Sequence, residues 1–433
     1  MAGFNRGPFD YNFQTATPWQ RPSGWLPMPE TPVDTVDMLV KIEDSLDSTF
    51  ASVTVEDAGN FFVDWDDGAG AQSYASGTNA VKEYIYAAAI SRDADATLGY
   101  KQAMVRVSGP LISTFRLNVI PAPVSTWATF IQPYIDISLN LPSCTTLQSY
   151  AINCQCRTIE RWVILACGPI ADMSNMFNSN YSCQSYTFPP GFGSVATAMS
   201  YMFSSNYSCQ SYIFPAGFGA VCTTMSNMFN SNYSCQSYTF PPGFGAVCTS
   251  MSSMFSSNYS CQSYIFPADF GAVCTAMSYM FNSNYSCQSY IFPAGFGSVA
   301  TSMSSMFQSC CSCRLHSFLA GFGVVCTNMS SMFNGNYSCQ SYSFPNGFGV
   351  VATTVGDIGP ISQRTTIKIQ GLAYAQSFSI ANSNLQVNEL VEVFNALPTV
   401  PGKSLTITGN PGVPGLTAPN EAIATGKGWT LVK

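Results

Sequence analysis

Seven segments, starting at Met173, Met199, Met225, Met251, Met277, Met303 and Met329, repeat with a period of 26 residues and no insertion or deletion. The first reads MSNMFNSNYSCQSYTFPPGFGSVATA, and Val355 stands where an eighth copy would begin. One such unit cannot bury its own apolar face. Copies at a fixed period must therefore stack, each sealing the next, and the fold expected is a solenoid held by neighbour contacts. At about 4.8 Å per strand, seven units predict a rod of roughly 34 Å.

Within a unit, Met-Ser-x-Met-Phe places apolar residues at i, i+3 and i+4 and predicts one helical turn. Cys209 to Phe214 follows L-x-x-L-x-L spacing, with Cys209, Tyr212 and Phe214 in the leucine places, and predicts a strand. Pro215 to Gly219 then ends it, because proline and glycine do not extend a parallel ladder well. This pattern over Met173 to Thr354 resembles the BspA-type leucine-rich repeat, found in bacterial surface proteins and virion proteins. Cys and Tyr stand where that family mostly uses Leu.

Charged residues make up 9% of the chain, against roughly 25% in typical soluble domains. Between Met173 and Thr354 only Asp269 and Arg314 are charged. A net charge of -7 supplies no basic footprint, so nucleic acid is not an expected ligand. The start lacks an apolar signal core and no apolar run reaches about 18 residues, so neither secretion nor membrane insertion is expected.

On the expected strands, the positions alternating with buried Tyr and Phe face outward: Thr187, Ile213, Thr239, Ile265 and Ile291, with the serines two residues before each. Beside them Asn-Tyr-Ser recurs at Tyr181, Tyr207, Tyr233, Tyr259, Tyr285 and Tyr337. Rows of Tyr and Asn suit neutral polar ligands such as glycans through ring stacking and amide hydrogen bonds. They also suit a solvated ladder that merely stabilises the stack.

Of the 17 cysteines, Cys183, Cys209, Cys235, Cys261, Cys287, Cys313 and Cys339 share one repeat position, and Cys222, Cys248, Cys274 and Cys326 another. Ala196, Ala300 and Ala352 occupy the second position in other copies, so it requires only a small apolar group. Rungs about 4.8 Å apart are spaced too widely for the usual Cβ separation of a disulfide, so buried thiols are expected, with cross-rung disulfides the alternative. The sixth unit differs, with Cys310, Cys311, Cys313 and His316. Their composition allows a Cys3His zinc site, but the spacing C-C-x-C-x-x-H gives poor chelate geometry, and a drifted copy is the alternative reading. No cofactor is expected.

The flanks differ in kind. Residues 1–35 read as an extended Pro/aromatic arm with Phe4, Phe9, Tyr11, Trp19 and Trp25 as candidate attachment residues. Residues 36–125 carry short β-prone runs separated by Asp/Gly turns and predict an antiparallel β-sandwich. The VDWDDG turn at Val63 to Gly68 gives this part a resemblance to the PKD-like immunoglobulin-type domain. Asp64, Asp66 and Asp67 miss the EF-hand spacing and read as turn chemistry. Residues 126–172 predict degenerate cap repeats, 173–354 the seven units, and 355–433 further degenerate repeats with a cap and an amphipathic helix at Val387 to Leu397. The fold class expected is mainly β with short helices, a β-sandwich followed by a leucine-rich-repeat-like solenoid.

RPSGWLPMP, VDWDDG, LGYKQAMVRV, the repeats, LTITGNPG and IATGKGWTL together resemble tail-fibre-like virion structural proteins of marine bacteriophages. That resemblance implies a non-enzymatic virion protein, made in the host cytoplasm and released by lysis. The arm would bind other virion proteins and the solenoid a host surface glycan or protein, in a homo-oligomer such as a trimer. A capsid decoration or head-fibre protein is the alternative. With one histidine and no paired carboxylates in the repeats, no catalytic constellation is visible.

Overall fold

The computed structural model of the chain describes residues 19–43, 49–86, 99–117, 133–148, 158–336, 339, 341–355, 368–370 and 374–433. Phe4, Phe9, Tyr11 and Tyr337 lie outside the described residues.

Two sheets form the N-terminal sandwich. The strands are β1 (Thr35–Glu43), β2 (Thr49–Asp57), β3 (Phe61–Asp64), β4 (Gln72–Tyr74), β5 (Asn79–Tyr84), β6 (Tyr100–Ser108), β7 (Ile112–Leu117), β8 (Tyr134–Leu141) and β9 (Thr146–Gln148). One sheet runs β5-β2-β7-β9. The other continues beyond the sandwich through β10 (Arg161–Cys167) to β11 (Ser185–Thr187), in the order β11-β10-β8-β1-β6-β3-β4. β8 is the hinge of this topology, antiparallel to β1 on one side and parallel to β10 on the other. Sandwich and solenoid thus share one ladder. The 125/126 boundary read from the sequence falls among residues that are not described, and β8 and β9, which follow it, belong to the sandwich sheets.

β1 is buried on both faces, and the sequence shows why. Val36, Met38, Val40 and Ile42 enter the core between the sheets, while Leu39 lies under Trp25 on the other side. Residues 19–35 therefore fold back over their own sheet.

In the solenoid, β11 and the strands β12 (Ser211–Ile213), β13 (Ser237–Thr239), β14 (Ser263–Ile265), β15 (Ser289–Ile291) and β16 (Leu315–Ser317) carry one ladder position each. Pairing is parallel and in register, with Tyr212 opposite Tyr238 and Tyr264 opposite Tyr290. Cys209, Tyr212 and Phe214 are buried, as the leucine-place spacing requires.

The Met-Ser-x-Met-Phe segment is not helical. Asn175 and Ser179 adopt left-handed φ of 60° and 61°, and the equivalent residues of later units do likewise. Some amides close local turns, as Met176 N–H does on Met173 O at 3.2 Å, while Asn175 and Phe177 donate to the next rung at Ser200 O and Met202 O. The apolar i, i+3, i+4 spacing is met by consecutive turns instead of a helix, because alternating handedness frees amides for the neighbouring rung. The second glycine of Pro-x-Gly-Phe-Gly is fixed sterically as well. Gly219 has φ 69°, and a Cβ there would lie 2.7 Å from Phe244.

Each rung contributes the same side chains to the interior. Phe177, Phe203, Phe229 and Phe255 form one column, with centroids 5.4 to 5.7 Å apart. Between the columns a buried asparagine ties the rungs. Asn206 Oδ1 accepts from Asn180 N–H at 3.0 Å, Asn232 Oδ1 from Asn206 N–H at 3.0 Å, and Asn258 Oδ1 from Asn232 N–H at 2.9 Å. The amide nitrogens donate to the tyrosine hydroxyl of the preceding rung, Asn258 Nδ2 to Tyr238 at 2.7 Å.

The C-terminal end resumes ordinary charged rungs. Phe378–Ser379, Lys403–Thr406 and Trp429–Val432 form a parallel sheet. Helices α1 (Val387–Ala396) and α2 (Ala418–Thr425) pack together, α1 burying Leu390, Val393 and Phe394. Lys427 Nζ meets the carbonyls of Phe394, Asn395 and Leu397 at 3.1, 2.7 and 2.8 Å, placing a cation at the negative end of α1. The sequence reading anticipated α1 but not α2.

Replacing Asn258 with Ala leaves the Asn232 N–H and the Tyr238 hydroxyl without their buried partner. At about 1–3 kcal/mol for each unsatisfied group, the expected loss in chemical denaturation is on the order of 3 kcal/mol.

Candidate functional site

Strand geometry decides which residues reach solvent. Alternation turns Cys, Tyr and Phe inward and leaves Ser and Thr or Ile outward. Ile213, Ile265 and Ile291 are 70%, 63% and 55% exposed, and Thr187 and Thr239 are exposed as well. Sequence reasoning placed these five on one outward column, and the structure brings them together there. It also brings in a column that reasoning missed. Gln184, Gln210, Gln236 and Gln262 lie half-buried beside the serines, with Gln236 N–H donating to Gln210 O at 2.8 Å. The signal was present, a glutamine after the strand cysteine in every copy except the sixth. There Arg314 and Leu315 replace Gln and Ser, so the neutral face is continuous only from β11 to β15.

Tyr181, Tyr207, Tyr233, Tyr259 and Tyr285 stack directly on one another. Their centroids lie 4.4, 4.6, 4.7 and 4.9 Å apart and the planes differ by 16° at most. An inner ring therefore has both faces covered by its neighbours. Sugar stacking on these rings is open only at the two ends of the column, and along its length the rings present edges and hydroxyls. Exposed rings in register gain more by stacking on each other than by standing apart in water.

The sixth unit is a substituted ladder. His316 is buried in the tyrosine column, between Tyr290 at 6.0 Å and Tyr342 at 5.3 Å. Asn336 Nδ2 lies 3.3 Å from His316 Nε2, and since the amide nitrogen can only donate, Nε2 accepts. Burial pushes the imidazole down to about 3, so it is neutral. Cys310 takes the asparagine place, and the Tyr290 hydroxyl meets its sulfur at 3.1 Å. Among the described residues no group of three or more His, Cys, Asp or Glu converges to hold a metal. Cys310, Cys311, Cys313 and His316 share a rung but not a coordination centre.

In the repeats, Cys209, Cys235, Cys261, Cys222, Cys248 and Cys274 are buried free thiols. Cys222 Sγ donates to Thr224 O at 3.2 Å, and Ala196 and Ala300 fill the same place without it. Burial pushes Cys209 up to about 12 and Cys222 and Cys274 up to about 11.

The expected attachment residues at the start are partly spent within the chain. Trp25 is 6% exposed, packs on Leu39 and Ile135, and donates Nε1 to the Tyr100 hydroxyl at 2.9 Å. Trp19 lies 6.2 Å from it, ring to ring. What draws this segment down is a buried carboxylate, Asp136, which Arg21 meets at 2.7 Å and Arg161 at 2.8 Å. The acidic turn is tied up within the sandwich, where Asp67 also pairs with the Lys82 ammonium. Asp64, Asp66 and Asp67 accept from the amides of Asp66, Met104 and Ala69, each at 3.0 Å.

No family model matches this chain, and no curated protein does. A solved structure similar to it is a leucine-rich repeat protein from Bacteroides ovatus ATCC 8483, at 12% identity and a TM-score of 0.35, covering 68% of this chain and 80% of that one.

Two outcomes follow from the buried titratable groups. Below its unfolded value near 6.5, His316 binds a proton when unfolded but not when folded, so its share of stability is intact above that pH and falls toward pH 3. His316→Tyr, which restores the repeat residue, is expected to gain on the order of 3 kcal/mol over the parent at pH 4 and to lose that advantage above pH 7. In native protein at pH 8, mass-spectrometric labelling with iodoacetamide should modify Cys209, Cys222 and Cys274 at least ~100-fold more slowly than in urea.

Proposed function

We propose that the chain is a non-enzymatic structural protein of a virus particle, fibre-like, whose solenoid contacts a neutral polymer such as a host surface glycan. In this reading the repeats are of BspA type, the sandwich is PKD-like, and the particle is a bacteriophage. The observation that carries the reading is the uncharged outward face of β11 to β15, where a Gln amide and a Ser hydroxyl recur at every rung, each with either Thr or Ile beyond them. Amides and hydroxyls supply both donors and acceptors, and exposed Ile supplies apolar contact, the mixture that a neutral sugar chain requires. A repeating face meets a repeating ligand many times, so contacts weak singly become strong together.

The sandwich is the base in this proposal. Its sheet runs unbroken into β10 and β11, and the Asp136 pairs with Arg21 and Arg161 join arm, sandwich and first rung. The solenoid is thus held at a fixed angle, which suits a projecting element. The arm residues before Trp19 are the part proposed to bind other virion proteins, with a homo-oligomer such as a trimer as the assembled form.

A glycan array probed with the full chain is expected to show binding to neutral polysaccharides that Ile265→Lys or Ser263→Lys abolishes. No binding to any neutral glycan would overturn the adhesive reading. Antibody labelling of purified particles should decorate tails. Labelling of capsid faces would replace the tail assignment with capsid decoration, and unlabelled particles would overturn the virion assignment.

A further inference from the structure

A second outward face lies behind the Pro/Gly turn, and its regularity exceeds that of the strand face. Val195-Ala196-Thr197 returns at every 26-residue step as Val-Cys-Thr or Val-Ala-Thr, ending at Val351-Ala352-Thr353. In all seven copies the middle residue is buried and both flanking residues are exposed. The valines are exposed almost equally, from 42% to 47%. Nothing in the core requires Val there, and the buried residue between varies, yet Val and Thr do not vary between copies.

Rigidity comes from the backbone beneath. Thr223 N–H donates to Thr197 O at 2.9 Å, Thr249 N–H to Thr223 O at 2.9 Å, and Thr327 N–H to Thr301 O at 3.0 Å. The Thr223 hydroxyl donates to that same Thr197 carbonyl at 3.1 Å, and each later threonine repeats the bond down to Thr353 on Thr327 at 3.3 Å. Each threonine of the row therefore has its hydroxyl proton committed inward. What remains is a row of hydroxyl oxygens with lone pairs outward, each beside its own methyl group and a valine, at the parallel-ladder interval of about 4.8 Å.

Such a face offers acceptors and methyl groups, without outward hydroxyl protons or charge. A glycan, which needs donors and acceptors together, fits it poorly. A ligand that donates hydrogen bonds at a fixed repeat and orders around methyl groups fits well, and ice repeats its oxygen positions along one lattice axis at an interval close to the rung spacing. We propose that the Val-x-Thr face from Val195 to Thr353 binds ice.

The test uses the full chain, in an ice-affinity partition and a measurement of the gap between melting and freezing temperatures. The chain is expected to enter the ice and to open a freezing gap beyond that of an equimolar inert protein. Thr249→Lys, at an exposed position and with the main-chain bond from residue 249 N–H to Thr223 O kept, should remove both effects while the circular dichroism spectrum stays that of the parent. Ile265→Lys, on the other face, should leave ice binding intact, which separates this proposal from glycan binding. Exclusion from ice by the parent chain, or equal activity in parent and Thr249→Lys, overturns it. So does a dimer in sedimentation that Thr249→Lys dissociates, because the face would then belong to a second copy.

Discussion

One side-chain amide sets the terms for the repeat region. From the second unit to the fifth, a buried asparagine accepts from the main chain of the preceding rung and donates to that rung's tyrosine hydroxyl, as Asn232 does with Asn206 N–H at 3.0 Å and Tyr212 at 3.2 Å. Both bonds cross between units, so they exist only when consecutive units have the same length and register. An insertion of one residue would leave an amide, a carbonyl and a hydroxyl unpaired in an apolar interior, each a costly omission. The strict period of 26 is in this sense a hydrogen-bonding requirement. The aromatic columns reinforce it without imposing it, because stacked rings tolerate small slips that a directional bond does not.

What could be read from sequence follows from that division. The solenoid, the strand on C-x-x-Y-x-F and the small buried cysteines were legible because period and alternation are properties of the chain itself. The Met-Ser-x-Met-Phe segment misled because its apolar spacing fits a helix and a series of turns equally, and only the neighbouring rung, which takes the Asn175 and Phe177 amides, decides between them. The tyrosine row was legible as a row but not as a closed stack, since its spacing of 4.4 to 4.9 Å belongs to the assembled ladder. Trp25 read as an outward anchor because nothing local links it to Leu39 and Ile135, which lie far along the chain.

Charge is distributed to match. The buried ion pairs lie in the sandwich, where Asp136 holds two arginines and Asp37 meets Arg106 at 2.6 Å. These are specific ties, each aligning one segment on another, and a repeating stack has no use for them. A like charge at every rung would stand about 4.8 Å from its copies and repel them along the rod. Neutral Ser, Thr, Asn and Gln avoid that repulsion, and their hydroxyls and amides bridge rungs or face water. The lack of charge in the repeats is thus a condition for near-identical copies to stack, before it is anything to do with ligands.

The sixth unit shows how much freedom the ladder leaves. Two of its connecting residues differ together, Cys310 in place of asparagine and His316 in place of tyrosine, and both joints stay bonded, although the Tyr290 hydroxyl donates where other tyrosines accept. Cys310 sulfur meets the Tyr290 hydroxyl, and its own N–H still finds Asn336 Oδ1 at 2.8 Å. His316 Nε2 faces Asn336 Nδ2 as a tyrosine oxygen would, and the ring keeps its place in the column. The requirement is therefore an acceptor for the neighbouring amide and a flat group of the right size, not particular residues. A chain built this way can change the composition of a rung and keep its fold, provided that donor still meets acceptor across each joint. Its outward columns carry no such obligation on the strand side, where Thr, Ile and Ser alternate. The threonines of the opposite face are bound to it through their own hydroxyls.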